Sequence, residues 1–431
     1  VFNQNGLHEE FTDEFDNILG GRYIINGKLP YTGFFSHHGP FTYFLSSVIS
    51  VFSGDSFVRF RILYSIFLFL FTLGGYYAVR KSIGDHNSRF YIGFIAIFAI
   101  SATYFWGHML VADSLAAILL APVFAIVFIK TLYDSSYRIR DMILISLLLS
   151  SALLTSLTYS YLIAGTYLFV SFQIFRYIKK YTLSKIFFPL FIFAMPFVVF
   201  ILYLIITNSF FPYLSQSLVF NQKYYIYNYP RAEGSTVINP LRYAIVISYE
   251  FFYRFRDLLI QAGSLNFNFP LNITLAVGNL FLLIYLLLRR KYVLFFFIVY
   301  LLIFSNTRSN PLTSKEKDFQ SAVYFILSFI NISFLLIKLW EKLTSAISIH
   351  SRVIYTLLFV FLSIYSFYSA SFLLFGFFQK SYNKYMGLEP KIYDRSDLAQ
   401  IVNAATPENE NAWIGPLEFE ELLYLERPIP S

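Results

Sequence analysis

The chain has 431 residues, of which 57% are hydrophobic, 21% aromatic and only 13% charged, with a net charge of +8 and a mean hydropathy of +0.58. A soluble domain carries about 25% charged residues, so the composition excludes an ordinary soluble enzyme and predicts an all-α polytopic membrane protein. The absence of cysteine removes disulfides, thiolate nucleophiles and cysteine-ligated zinc, and leaves carboxylates and six histidines to bind any metal.

The chain opens on a polar exception. "FTDEFDNILGGRYIINGKLPYTGFFSHHGPF", residues 11–41, carries Asp13, Glu14 and Asp16 within four positions and ends in paired histidines. Over 11–24, Phe11, Phe15, Ile18, Leu19 and Tyr23 recur at helical spacing with the carboxylates on the other flank, which predicts a helix lying in the membrane interface. Asp13 and Glu14 fall in its first turn, where a carboxylate adds about 0.3–1 kcal/mol against the helix dipole. Residues 40–52 are apolar but too short to span. Because the chain begins at Val1 in polar sequence, one further transmembrane helix is expected before it.

Crossing about 30 Å of hydrocarbon takes about 20 apolar residues, and about ten runs qualify: 62–79, 90–109, 114–129, 142–157, 161–174, 186–206, 271–288, 292–304, 319–337 and 353–378. The tight connections hold Arg80, Lys81 and Arg89, then Lys130, Arg138 and Arg140, then Arg176, Lys179, Lys180 and Lys185, then Arg289, Arg290 and Lys291, and finally Lys338, Lys342 and Arg352. Only four acids accompany them, Asp85, Asp134, Asp141 and Glu341. By the positive-inside rule these loops face the cytoplasm, so residues 1–60, the 207–270 connection, "SNTRSNPLTSKEKDF" and the tail face outward. The basic balance thus reflects topology and gives no argument for nucleic acid. A second surface helix is expected over 241–259. Residues 1–378 form the transmembrane domain, with 1–60 as its first external loop. Residues 379–431 form a small external segment whose fold is expected to continue past Ser431.

Asp113, in "HMLVADSLAAILL", borders an apolar run. It either N-caps the helix starting at Ser114 or serves function, because an ionisable residue at the membrane edge is costly. "NIT" at Asn272 and "NIS" at Asn331 fit a glycosylation pattern but lie in predicted spans. "HHGP" has no third histidine near it.

Asp13 and Glu14, then Gly27, Leu29, Pro30 and Tyr31, then His38 and Pro40, then Gly54, Ser56 and Arg61 follow one another in an order that resembles the first external loop of the C-type membrane glycosyltransferases. That group includes the aminoarabinose transferases, protein O-mannosyltransferases and Rgt-like sugar transferases. The likeness is good over 13–79 and looser to 378. It implies transfer of a sugar from a polyprenyl-phosphate donor to a lipid, glycan or protein acceptor, with inversion, at the outer face of a bacterial inner membrane, among membrane lipids. Asp13 is then the candidate base, with Glu14 and Asp113 orienting the acceptor or a cation, although spacing does not rank Asp13 above Glu14 or Asp16.

For the donor phosphate the resemblance points to His38, Arg256, Arg308 and Lys315. His38 stands where aminoarabinose transferases carry lysine, which argues against that donor, since neutral imidazole is a weaker phosphate partner. These basic residues could equally contact lipid headgroups. Lys223 and Tyr224 fall in a stretch resembling the loop that closes over the donor. No cofactor is implied, and a divalent cation is left open. A transporter or lipid flippase is the rival class; it would place its charges near the midplane and show repeated halves. A polysaccharide polymerase or ligase is a third reading, with its largest external loop late in the chain.

Overall fold

The structure, a computed structural model, describes residues 11–36, 38–176, 184–225, 240–264, 270–305 and 319–345, and beyond these only short stretches, chiefly 397–407 and 419–425. Among the described residues the chain is helical and forms no strand. In order the helices are α1 (Thr12–Ile25), α2 (Phe41–Ser53), α3 (Phe57–Ile83), α4 (Asp85–Ser101), α5 (Ala112–Leu132), α6 (Ile139–Thr155), α7 (Ser160–Arg176), α8 (Ser184–Ile206), α9 (Phe210–Tyr213), α10 (Pro240–Gly263), α11 (Pro270–Leu288), α12 (Tyr292–Phe304), α13 (Ala322–Ser345), α14 (Asp397–Ala405) and α15 (Phe419–Leu423). A 3₁₀ turn, Ala102–Phe105, follows α4, and a π-helical stretch, Leu214–Tyr225, continues α9.

Among the described residues five helices are long and apolar enough to cross a membrane: Phe57–Ile83, Asp85–Phe105, Ala112–Leu132, Leu271–Leu288 and Ala322–Leu343. A sixth arises if Leu190–Ile206 and Phe210–Asn221, bent by 117°, form one broken span. The other expected runs fold as helices but are shorter than about 20 residues: α6 and α7 have 17 residues each and α12 has 13. The run 353–378 lies largely outside the described residues, as does most of 379–431. The stretch 241–259, expected as a surface helix, is helical and lies within α10.

A helix apolar on all sides belongs in an interior, and α5 takes that place. All 21 of its residues are buried, with α3, α6 and α13 packed around it. Aromatic side chains tie the outer helices together, as where Phe169 of α7 stacks on Phe297 of α12 with centroids 3.7 Å apart, and Phe105 stacks on Phe325 of α13 at 5.1 Å. Such pairs add about 0.5–1.5 kcal/mol beyond the area they bury. Within the bundle, Asn279 of α11 donates to Ser328 Oγ at 2.8 Å and accepts from Asn331 of α13 at 2.8 Å. "NIT" and "NIS" both fall in helices, with Asn272 and Asn331 buried.

The two ends of the bundle differ in chemistry. At one end the basic connections meet: Arg138 Nη1 donates to the Lys81 carbonyl at 3.4 Å, and Arg140 binds the same oxygen. Lys291 pairs with Asp134 at 2.6 Å, and His86 approaches Glu341 at 3.3 Å. Buried beneath them, Lys130 at the end of α5 pairs with Asp141 at the start of α6 at 3.0 Å. The opposite end carries α1, the start of α5 and the end of α6.

Candidate functional site

Helix α1 begins with extended backbone at Phe11, whose ring stacks on Trp106 at 4.5 Å. Its first turn contains Asp13 and Glu14, as expected, but the helix does not lie with its carboxylate flank turned outward. Glu14, Phe15, Asn17, Ile18 and Leu19 are all buried, because Glu14 turns inward and forms an ion pair with Arg61 in which both side chains are wholly enclosed. Arg61 stands one turn into α3, its guanidinium 4.8 Å from the centre of the Phe57 ring. Ser56 caps that helix by accepting from the Arg59 N–H at 3.1 Å. The "G-x-S-x-x-x-x-R" segment therefore acts as a unit: the serine starts the helix and the arginine anchors the acidic opening.

Leu110 joins this pair to the second candidate region. Its N–H donates to Glu14 Oε1 at 3.3 Å, and its carbonyl accepts from Asn17 Nδ2 at 3.0 Å. Asn17 also donates to the Asp13 carbonyl at 2.7 Å. Leu110 and Asp113 are three residues apart, which limits their Cα separation to about 11 Å. Asp113 is not an N-cap: α5 starts at Ala112 after Val111, no side chain caps it, and Asp113 sits inside its first turn. The carboxyl is buried and accepts from Ser156 Oγ at 3.2 Å, where α6 ends.

The stretch 26–40 wraps this assembly. Gly27 (φ +80°) turns the chain after α1, and the buried Tyr31 also adopts left-handed backbone (φ +73°). A non-glycine residue holds such a conformation only when its surroundings fix it. Here the Tyr31 hydroxyl donates to the His38 carbonyl at 3.2 Å, its own carbonyl accepts from Gln216 at 2.8 Å, and its ring meets Tyr213 edge-on at 5.1 Å. Gly39 is pressed onto the end of α6 so closely that a Cβ there would lie 2.1 Å from the Leu154 carbonyl oxygen.

His38 donates its backbone N–H to Ser36 Oγ at 3.2 Å; Ser36 donates to the Tyr43 hydroxyl at 3.0 Å, and Tyr43 donates to Asp16 Oδ2 at 3.0 Å. Burial raises the Asp16 carboxyl from 3.8 to about 7, the negative charge of Asp13 adds to that rise, and the Tyr43 hydrogen bond partly offsets it.

The stretch carrying Lys223 and Tyr224 docks on this loop. Gln216 accepts from the Ser36 N–H at 2.9 Å while donating to Tyr31, and Phe220 meets Phe35 edge-on at 5.1 Å. Lys223, at the end of the π-helical stretch, is exposed. Tyr224 belongs to that stretch, and its side chain lies outside the described residues. Arg256 is exposed on α10, 4.7 Å from the centre of the Tyr253 ring, and α10 packs on α11 and α12. Arg308 and Lys315 lie outside the described residues. Among the described residues no three metal-ligating side chains gather.

The structure thus brings together Asp13, Glu14, Asp113, His38 and the Lys223 stretch through the intervening side chains of Arg61, which the sequence names only as the last residue of the "G-x-S-x-x-x-x-R" segment, and of Asn17, Tyr43, Ser156 and Gln216, which it does not single out. Of these, Arg61 carried a usable signal, an ionisable group just inside an apolar run. Comparison of the chain with protein-family models, with curated proteins and with solved structures returns no match.

Proposed function

We propose that this chain is an integral membrane glycosyltransferase that moves a sugar from a polyprenyl-phosphate donor to a hydroxyl of a lipid, glycan or protein acceptor, at the face opposite its basic loops. One observation carries the reading. The acidic helix, the Arg61 segment, the start of α5 and the "HHGP" loop, the parts that resemble the C-type transferases, are all joined at one end of the bundle.

Transfer to a hydroxyl needs a carboxylate to take its proton, which contributes about 10²- to 10⁴-fold, and donors to hold the departing phosphate. The acidic helix supplies the carboxylates at a bundle end where water and a lipid headgroup can both arrive. Glu14 is committed to Arg61 and Leu110, so its role is to hold α1 against α3 and α5. Asp113 ties the start of α5 to the end of α6. Lys223 is a candidate phosphate partner, exposed on a stretch clamped to the same loop, and a neutral imidazole at His38 would be a weaker one.

The rival transporter reading draws on the 117° break after Ile206, since discontinuous helices build transporter sites. The carboxylates, however, gather at one end of the bundle. The test is sugar transfer from short-chain polyprenyl-phosphate hexoses and pentoses in membranes. Transfer by the wild type, with reduced transfer in Asp113→Asn at normal expression, supports the reading. Absence of transfer together with substrate-driven flux across proteoliposomes overturns it.

A further inference from the structure

Two acids of the opening helix, Glu14 and Asp16, have opposite surroundings. Glu14 has both oxygens engaged, one by Arg61 and one by the Leu110 N–H, and is fully enclosed. A carboxylate locked to a guanidinium is a poor base, because protonation would break the pair. Asp16 differs. Its Oδ2 accepts from Tyr43, its Oδ1 has no partner among the described residues, and the side chain is half-buried, so it is fixed in place yet reachable.

We propose that Asp16 is the proton acceptor of the site, with Tyr43 and Ser36 as the positioning residues that aim it. This assignment rests on the transferase reading. As the acceptor oxygen forms its bond to the anomeric carbon, the carbon–oxygen bond to the phosphate breaks and its electron pair leaves with the polyprenyl phosphate. The acceptor O–H proton passes to Asp16 Oδ1. Asp13 lies one turn away on α1, and its charge bears on Asp16. Asp16 in turn bears on Tyr23 of its own helix and Tyr43 of α2. From the 26–40 loop the neutral Ser36 bonds to this chain, and Lys28 lies 5.1 Å from the centre of the Tyr23 ring. Helix α15, also packed on α1, meets it where Arg22 donates to the Leu423 carbonyl. Among the described residues no cation pairs with Asp16, and its neutral-range titration agrees with a base that must release its proton each cycle.

Two measurements on the full chain in lipid nanodiscs separate this assignment from the transferase reading. The first needs no substrate: an infrared pH titration of the carboxylic-acid carbonyl stretch in wild type, Asp16→Asn, Asp13→Asn and Tyr43→Phe. A band titrating near pH 7 should vanish in Asp16→Asn and persist in Asp13→Asn. In Tyr43→Phe it should titrate at higher pH, since a hydrogen bond that favours the ionised form has been removed. The second is turnover of a short-chain polyprenyl-phosphate sugar against pH. Asp16→Asn should lose about 10²- to 10⁴-fold at every pH. Asp16→Glu should recover part of that loss, and the acidic limb of the Tyr43→Phe profile should move upward. Persistence of the band in Asp16→Asn, or undiminished turnover by that variant, overturns the assignment. A band that vanishes in Asp16→Asn, in a wild type that transfers no probe sugar, overturns the transferase reading while Asp16 stands as the titrating group of the site.

Discussion

Each end of the bundle holds a buried ion pair, and the two are built differently. Lys130 and Asp141 belong to consecutive helices, α5 and α6, and their remaining needs are met within the same turn: Lys130 donates to the Ser136 carbonyl at 2.8 Å and Asp141 accepts from the Arg138 N–H at 2.9 Å. The pair closes a tight connection. Arg61 and Glu14 belong to distant stretches, and the partner of Glu14 on its other oxygen is Leu110, far along the chain. That pair gathers three separate segments. A buried ion pair gives little net stability over apolar packing, whereas losing one partner leaves an uncompensated charge. Its value at the Glu14 end therefore lies in what it positions.

Breaking each pair tests this contrast most strongly. Arg61→Ala and Lys130→Ala should each cost about 3–5 kcal/mol, measured by unfolding in detergent. Replacing both partners by apolar residues should separate them. Lys130→Met with Asp141→Leu should restore stability and leave sugar transfer intact. Glu14→Leu with Arg61→Met should restore stability while transfer stays at least about tenfold down, because α1 has lost its register on α3. Equal transfer in the two double variants would erase the distinction.

Gly39→Ala comes next. The added Cβ would press on the Leu154 and Thr155 carbonyl oxygens at 2.1 and 2.6 Å, and overpacking of this kind costs about 1–3 kcal/mol. The corresponding substitution at Gly84, at the basic end, meets nothing within 4 Å but carries a φ of +86°, so its cost should be the smaller backbone strain alone. Gln216→Ala removes two hydrogen bonds to the Tyr31–Ser36 turn, at about 0.5–1.5 kcal/mol each. Faster amide hydrogen exchange over 209–225, with unchanged exchange in α5, is the expected readout.

The pH dependence set by Asp16 is of a different kind. Its carboxyl is raised in the folded chain, from 3.8 to about 7, so the folded state binds the proton more tightly than the unfolded one. Stability from this group is lost as pH rises between those values and is fully absent above them. Asp16→Asn should therefore be more stable than wild type above pH 7, and the advantage should shrink toward pH 4.

Much of the fold was legible because apolar runs and helices coincide. The run 292–304 matches α12 to the residue, and 62–79 sits inside α3. Expectation and structure part where a helix end is set by backbone conformation. The run 90–109 continues past Ser101, but the chain winds into a 3₁₀ turn and reverses at Trp106 with φ +56°, and no hydropathy pattern marks that. The acids at 13–16 were visible as a group, yet their separate fates were not. Periodicity placed Glu14 on the outer flank, and only the arrival of Arg61 from α3 turns it inward. Gln216 and Ser156 carried no signal, since an ordinary polar residue becomes informative only when its partner is known.

Helix α5 also works as a gauge. From Asp113 to Lys130 it rises about 26 Å at about 1.5 Å per residue, close to the hydrocarbon thickness of about 30 Å. Every residue along it is shielded by neighbouring helices, so tilting or snorkelling of α5 cannot answer a bilayer of another thickness. That adjustment falls to helices with outward apolar side chains, such as α7 with Leu168 and Phe172 and α8 with Phe191. The spacing between the two ionic ends is thus written into the protein's interior and kept independent of the lipid around it.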